Sequence, residues 1–102
     1  MRNYYFSRKA LSDISKIYEY TYLQWSESQA DKYYKLLINY CILISKNPHL
    51  GKKYDKIIPG LLGYHTKHHI IFYNIINENK IEIIRILGRE MDLKNRLKKD
   101  NL

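Results

Sequence analysis

The sequence predicts an α+β fold in which a hairpin of two helices packs on a small curved antiparallel sheet. Three observations carry this. Apolar residues recur at helical spacing from Leu11 to Ile44. The pattern then turns β-rich: His68-His69-Ile70-Ile71-Phe72-Tyr73-Asn74-Ile75-Ile76, a polar turn at Asn77-Glu78-Asn79, and Lys80-Ile81-Glu82-Ile83-Ile84-Arg85-Ile86-Leu87. Two such runs across a short polar gap read as a β-hairpin. Between the helical and β-rich halves lies a loop punctuated by Gly51, Pro59 and Gly60. With 102 residues the chain is expected to be a single domain spanning residues 1–102.

Taken in order, Asn3 to Phe6 is short and aromatic and suits a strand. Ser7 is placed to cap the helix that follows. Leu11, Ile14, Tyr18, Tyr22 and Trp25 recur at three- and four-residue steps, and Ile17 widens the stripe. Asp13, Ser15, Lys16 and Glu19 fall outside it, the pattern of an amphipathic helix. Ser26-Glu27-Ser28-Gln29 has capping-box spacing and opens a second helix. Ala30, Tyr33, Leu37, Cys41 and Ile44 form its main stripe, and Leu36, Tyr40 and Leu43 a second apolar edge. Lys46-Asn47-Pro48 ends it. So short a gap makes the two helices an antiparallel hairpin.

Residues 49–60 read as loop, with Lys52, Lys53 and Lys56 against Asp55. Strands are expected over residues 61–67, 68–76 and 80–87, as a three-stranded antiparallel meander. The middle strand is apolar on both faces, with Ile70, Phe72 and Ile76 on one and Ile71, Tyr73 and Ile75 on the other. It therefore needs cover on both. The helices supply one cover, and a partner chain or the C-terminal tail is expected to supply the other. Residues 89–102 are expected to form a short helix or tail, with Leu93 and Leu97 as its apolar contacts.

Eighteen Lys and Arg against ten Asp and Glu leave a net charge of +8. That favours an acidic partner, a nucleic acid or a phosphate-rich surface without choosing among them. A single cysteine, Cys41, excludes an internal disulfide and a thiolate metal cage. Its place on the apolar stripe makes it a small core residue. No run approaches the roughly 18 apolar residues of a membrane span. Met1 to Phe6 lacks the apolar core and cleavage site of a signal peptide. The cytoplasm is the expected location.

No phosphate loop, dinucleotide fingerprint or zinc-spaced Cys/His set occurs. On one strand His65 and His69 would share a face about 13 Å apart, with His68 pointing the other way. No metal and no cofactor are expected. Arg85 stands alone among apolar residues, so it must pair with a carboxylate or a partner, or face a functional surface. Lys67, His69, Arg85 and Arg89 are the residue types that metal-free RNA cleavage uses, cations to hold developing charge and groups to move protons. Eleven tyrosines, six of them between Tyr18 and Tyr40, exceed what one small core buries. Such a surplus points to a protein–protein surface ahead of base stacking, because the helices lie away from the basic strands. Direct nucleic-acid binding is not expected.

Several segments carry a family resemblance. They are Phe6-Ser7-Arg8-Lys9-Ala10 with Leu11-Ser12-Asp13-Ile14 and Tyr18-Glu19-Tyr20-Thr21, then Trp25-Ser26 to Ala30 and Tyr33. Asn47-Pro48-His49-Leu50-Gly51 and Ile58-Pro59-Gly60-Leu61 follow in the loop. Lys67-His68-His69-Ile70-Ile71-Phe72-Tyr73 and Ile84-Arg85-Ile86-Leu87 through Met91-Asp92 complete them. In this order the chain resembles the ParE-like toxins of the RelE/ParE superfamily, from bacterial toxin–antitoxin modules of the plasmid-stabilisation type.

The resemblance implies the toxin of a type II toxin–antitoxin system that inhibits DNA gyrase. It implies neutralisation by an acidic ParD-like antitoxin, whose C-terminal segment threads over the toxin in a hetero-oligomer. The RelE branch implies instead ribosome-dependent cleavage of messenger RNA, for which Lys67, His69, Arg85 and Arg89 would serve. That branch carries a late tyrosine or histidine and a middle-strand arginine. Here no tyrosine follows Tyr73, and His69 holds the arginine position. Many ParE-like chains have histidine where Gly88 stands, and often arginine where Leu62 stands. The resemblance thus favours a topoisomerase inhibitor with no catalytic residues. Arg85, Arg89, Arg96, Lys98 and Lys99 are the expected target- or antitoxin-facing charges. Tyr18, Tyr22, Tyr33, Leu36 and Tyr40 are the expected antitoxin contacts.

Overall fold

The computed structural model describes residues 3–89 together with Leu97. The chain runs through β1 (Asn3–Phe6), α1 (Arg8–Gln24), α2 (Glu27–Lys46) and a 3₁₀ turn (Pro48–Leu50). It continues through β2 (Lys52–Lys53), β3 (Leu62–His65), β4 (His69–Asn77) and β5 (Lys80–Gly88). The strands form one mixed sheet of order β1-β5-β4-β3-β2. The α+β class and the meander β3-β4-β5 are as expected, and each edge of the meander gains a strand. β1 joins β5 in parallel, and β2 joins β3 from within the expected loop. A two-residue strand is too short to leave a periodic signal. The parallel partner of β1 lies at the other end of the chain, beyond any local pattern.

Ser7 explains how the first helix meets the sheet. Its Oγ accepts the Ala10 N–H at 3.0 Å and donates to Ile84 O at 2.7 Å. Its own N–H donates to Ile83 O at 2.9 Å. One residue thus caps α1 and pins its start to β5. Ser26 caps α2 by accepting the Gln29 N–H at 3.1 Å. At the other end the Asn47 N–H closes on the Leu43 and Ile44 carbonyls. Pro48 then opens the 3₁₀ turn, where its missing N–H costs nothing.

That turn is tied to the middle of the sheet. Tyr73, buried in β4, donates its hydroxyl to Pro48 O at 2.7 Å and accepts from the Gly51 N–H at 2.9 Å. A Cβ on residue 51 would stand 2.5 Å from that hydroxyl oxygen. The pattern Asn47-Pro48-His49-Leu50-Gly51 ends in glycine because the backbone must come this close.

Two clusters flank the sheet. On the helix side Ile14, Leu37, Cys41 and Ile44 meet Leu62, Ile71, Tyr73, Ile81, Ile83 and Ile86. Burying each large apolar side chain contributes about 1.5–3 kcal/mol. Cys41 is fully enclosed, and burial pushes its thiol up to about 12. On the other face Ile70, Phe72, Ile84 and Leu87 pack with Leu61 and Leu97, and Tyr54, Ile57 and Ile58 close over them. The second cover of the middle strand is thus supplied by the chain itself, from the loop before β3 and from Leu97. Ile75 and Ile76 remain exposed at the end of β4.

β5 breaks strict alternation. Ile83 and Ile86 both pack on the helix side, although a regular strand sends residues three apart to opposite faces. The register slips here: Phe72 pairs with Arg85 and Tyr73 with Ile83. Ile84 is the extra residue of a β-bulge, and it packs in the far cluster. The bulge re-aims the strand where Arg85 stands.

Candidate functional site

Arg85 is 5 % exposed. Its Nε donates to Asp13 Oδ2 at 2.8 Å and its Nη2 to Asp13 Oδ1 at 2.9 Å, a two-point fork. The Ile86 N–H also donates to Asp13 Oδ2, at 2.9 Å. The expectation that Arg85 faces a target or an antitoxin is therefore corrected: its charge joins β5 to α1 inside the molecule. The same pair corrects the phase of α1. Ala10, Asp13 and Ile14 point inward, whereas Leu11, Tyr22 and Trp25, expected in the buried stripe, are exposed. The physical signal was present: an acid at the same helical phase as Ala10, Ile14 and Ile17, and an arginine in an apolar strand that needs a carboxylate.

The turn from β3 to β4 gathers three of the other basic candidates, Lys67, His69 and Arg89. β3 ends at His65 and β4 begins at His69, so these histidines lie on neighbouring strands and not on one. The Thr66 hydroxyl donates to His69 O at 2.9 Å and accepts the His69 N–H at 3.1 Å, closing the turn. Lys67 and His68 are exposed. The Arg89 N–H donates to His68 O at 3.2 Å, and its Nη1 lies 3.4 Å from Thr66 O. His69 Nδ1 is hydrogen-bonded to Tyr33 Oη at 2.6 Å. Lys67, His69 and Arg89 thus share this end of the sheet, and Arg85 is taken out of the set. Among the described residues, no three or more His, Cys, Asp or Glu side chains come together to hold a metal.

Burial, and then the neighbouring His68, hold the His69 pKa below its ordinary 6.5, while Asp13 pulls the other way. In the unfolded chain the pKa returns to 6.5. Between the lowered folded value and 6.5 the unfolded state therefore binds more protons. Stability falls as pH drops through that window and is unaffected above it. His69→Gln, which leaves Tyr33 a polar partner, is expected to shallow the slope of stability against pH. Urea unfolding at several values between about pH 5 and about pH 7.5 checks this, and an unchanged slope would contradict it. Part of the slope persists in the variant, because burial lowers His65 as well.

The helical hairpin carries an apolar exterior. Trp25 is 74 % exposed, Leu23 69 % and Tyr20 65 %. The five expected contact residues divide between two places. Tyr18 on α1 donates its hydroxyl to Asp31 Oδ1 on α2 at 2.7 Å, a bond that pushes its pKa up to about 12. Tyr22, one turn on, is exposed. Tyr33, Leu36 and Tyr40 run down the flank of α2 beside the sheet. There Tyr33 meets the His68 and His69 rings, and Tyr40 meets Tyr64 of β3. Leu36 stands exposed between them. Sequence reasoning missed Leu23, whose signal was its position away from the Ala10-Asp13-Ile14-Ile17 phase. Arg96, Lys98 and Lys99 lie outside the described residues.

Residues 4–93 match the family described as the ParE toxin of type II toxin–antitoxin system, parDE. The chain belongs to the ParE toxin family. Toxin ParE1 of Mycobacterium tuberculosis is 30 % identical over 94 residues, which cover 92 % of this chain and 96 % of that one. Toxin ParE1 of Caulobacter vibrioides is 28 % identical over 97 residues, 95 % of this chain and 99 % of the other. Among solved structures, the chromosomal ParDE toxin–antitoxin system from P. aeruginosa matches with a TM-score of 0.76 at 19 % identity. It covers 88 % of this chain and 98 % of its own. The toxin–antitoxin complex RelBE2 from Mycobacterium tuberculosis matches with a TM-score of 0.67 at 16 % identity, covering 86 % and 98 %. The chain is thus a toxin of a type II toxin–antitoxin system, and it shares its fold with both structures. Two of the ParE-like motifs acquire physical reasons here: Gly51 admits the Tyr73 hydroxyl, and Arg85 reaches Asp13. Among the described residues no helix is long and apolar enough to cross a membrane.

Proposed function

We propose that this ParE-family toxin inhibits DNA gyrase and is held inactive by an acidic ParD-like antitoxin. The observation that carries the reading is the family match over residues 4–93. The P. aeruginosa structure with the same fold is a ParDE system, and a net charge of +8 suits an acidic partner. The outer faces of the hairpin supply aromatic anchors of the kind that dominate interface energies. Tyr18, Tyr22, Tyr33, Leu36 and Tyr40 are the proposed antitoxin contacts. Arg89, with Arg96, Lys98 and Lys99, keeps the proposed role of a target- or antitoxin-facing charge, and Arg85 loses it. A RelE-like, ribosome-dependent mRNA endoribonuclease is the rival reading. It would have to work with Lys67, His69 and Arg89 alone, since Arg85 is occupied by Asp13. Either activity belongs in the cytoplasm and calls for no cofactor.

Induction without antitoxin is expected to stop growth, with DNA replication failing while translated messages stay intact. Co-expression of the acidic partner is expected to restore growth. Cuts in translated messages that vanish on Lys67→Ala would move the assignment to the nuclease.

A further inference from the structure

Tyr54, just after β2, is fixed on every side that packs. Its ring meets Phe72 edge-on at 5.1 Å between centroids and lies nearly parallel to the His65 ring, at 14°. It covers Gly63 so closely that a Cβ there would come within 2.6 Å of Tyr54 Cε2. Its hydroxyl is 2.6 Å from His65 Nε2. The two groups share one hydrogen bond, whose direction follows the His65 tautomer. Among the described residues the other ring nitrogen, Nδ1, has no hydrogen-bond partner.

Cations from separate elements gather round this platform. Lys52 Nζ, from β2, lies 5.8 Å from the Tyr54 ring centroid. Arg89, just beyond β5, reaches 3.4 Å from the carbonyl of Thr66, the residue after His65. After burial, the charges of Arg89 and Lys52 are what depress the His65 pKa, and Arg89 acts on Tyr54 as well. His65 therefore lies within the field of both cations. Among the described residues no carboxylate forms an ion pair with Lys52, His65 or Arg89. Asp55, close in sequence, accepts the Gly60 N–H at 3.0 Å. Like charges held together without a counter-ion repel, and a bound anion relieves that repulsion.

We infer that Lys52, His65 and Arg89, set round the fixed Tyr54 ring, form a binding site for a phosphate group of a nucleic-acid backbone. Donors arriving from three strands' ends suit the several oxygens of a tetrahedral phosphate better than a flat carboxylate. Lys56 and Lys67, both exposed, stand on the neighbouring loop and turn for flanking phosphates. The inference goes beyond the gyrase reading, does not depend on it, and departs from the sequence-based expectation of no direct nucleic-acid binding.

The test follows the His65 imidazole signals by NMR while isotope-labelled protein is titrated with inorganic phosphate, a short single-stranded oligonucleotide, or an acidic peptide. Phosphate and oligonucleotide are expected to shift those signals and raise the His65 pKa, the oligonucleotide binding more tightly. Lys52→Gln and Arg89→Gln are each expected to weaken oligonucleotide binding about 10-fold and to lower its salt slope by about one. Lys80→Gln, at the opposite end of β5 from Arg89, is expected to change neither. Binding of phosphate without the oligonucleotide would overturn the nucleic-acid source. Silent His65 signals, an equal loss in Lys80→Gln, or binding of the acidic peptide alone would overturn the site.

Discussion

Replacing Asp13 with alanine is expected to cost about 3–5 kcal/mol of folding stability, because it leaves the Arg85 guanidinium buried without its carboxylate. That is a large part of the about 5–15 kcal/mol by which a typical domain is stable. The loss comprises both arms of the fork and the acceptor of the Ile86 N–H. The pair itself need not be a net source of stability, since both charges lose their hydration on burial. The double variant Asp13→Leu with Arg85→Met is therefore expected to recover most of the loss. It would still lack about 1 kcal/mol for the unpaired Ile86 N–H. Denaturant unfolding of the three chains measures both effects. A single variant within about 1 kcal/mol of the parent would mean that the pair does not hold α1 to β5.

Leu36→Glu is expected to weaken the complex with an acidic antitoxin about 100-fold, equivalent to about 2.7 kcal/mol. Leu36 lies exposed between Tyr33 and Tyr40 on the flank of α2. The substitution removes an apolar contact and sets a like charge against the partner. Folding is expected to change by less than about 0.5 kcal/mol, because the position is exposed. The variant should stay toxic and escape rescue, a combination that a merely unfolded chain cannot show. Calorimetric titration of antitoxin into both proteins checks the affinity. A full loss on Trp25→Ala with none on Leu36→Glu would place the contact at the hairpin tip instead.

How much of this was legible in the sequence depended on the range of each interaction. The phase of α2 could be read because its apolar stripe, Leu37, Cys41 and Ile44, faces the sheet, and its buried Ser45 sits in the last turn with its hydroxyl on Ile42 O. The phase of α1 was masked from local pattern, because its buried stripe contains Asp13, and its outer face carries the aromatic residues that burial scales place inside. Only the pairing with Arg85, on the last strand, decides between the two. The bulge at Ile84 was hidden for the same reason: the run Ile83-Ile84-Arg85-Ile86-Leu87, four apolar residues and one base, gives no alternation to break. The meander was plain from local pattern, whereas β1 on β5 and β2 on β3 rest on partners that no local signal names. Among the site residues, the sequence grouped Lys67, His69 and Arg89 with Arg85, which the structure turns inward to Asp13, and the Tyr54–His65 pair went unseen because it joins a loop to a strand.

The most direct test of the proposed function is supercoiling of relaxed plasmid by purified DNA gyrase with rising amounts of this toxin. Inhibition is expected, and prior incubation with the acidic antitoxin is expected to abolish it. Full supercoiling activity at a molar excess of folded, antitoxin-binding protein would contradict the reading.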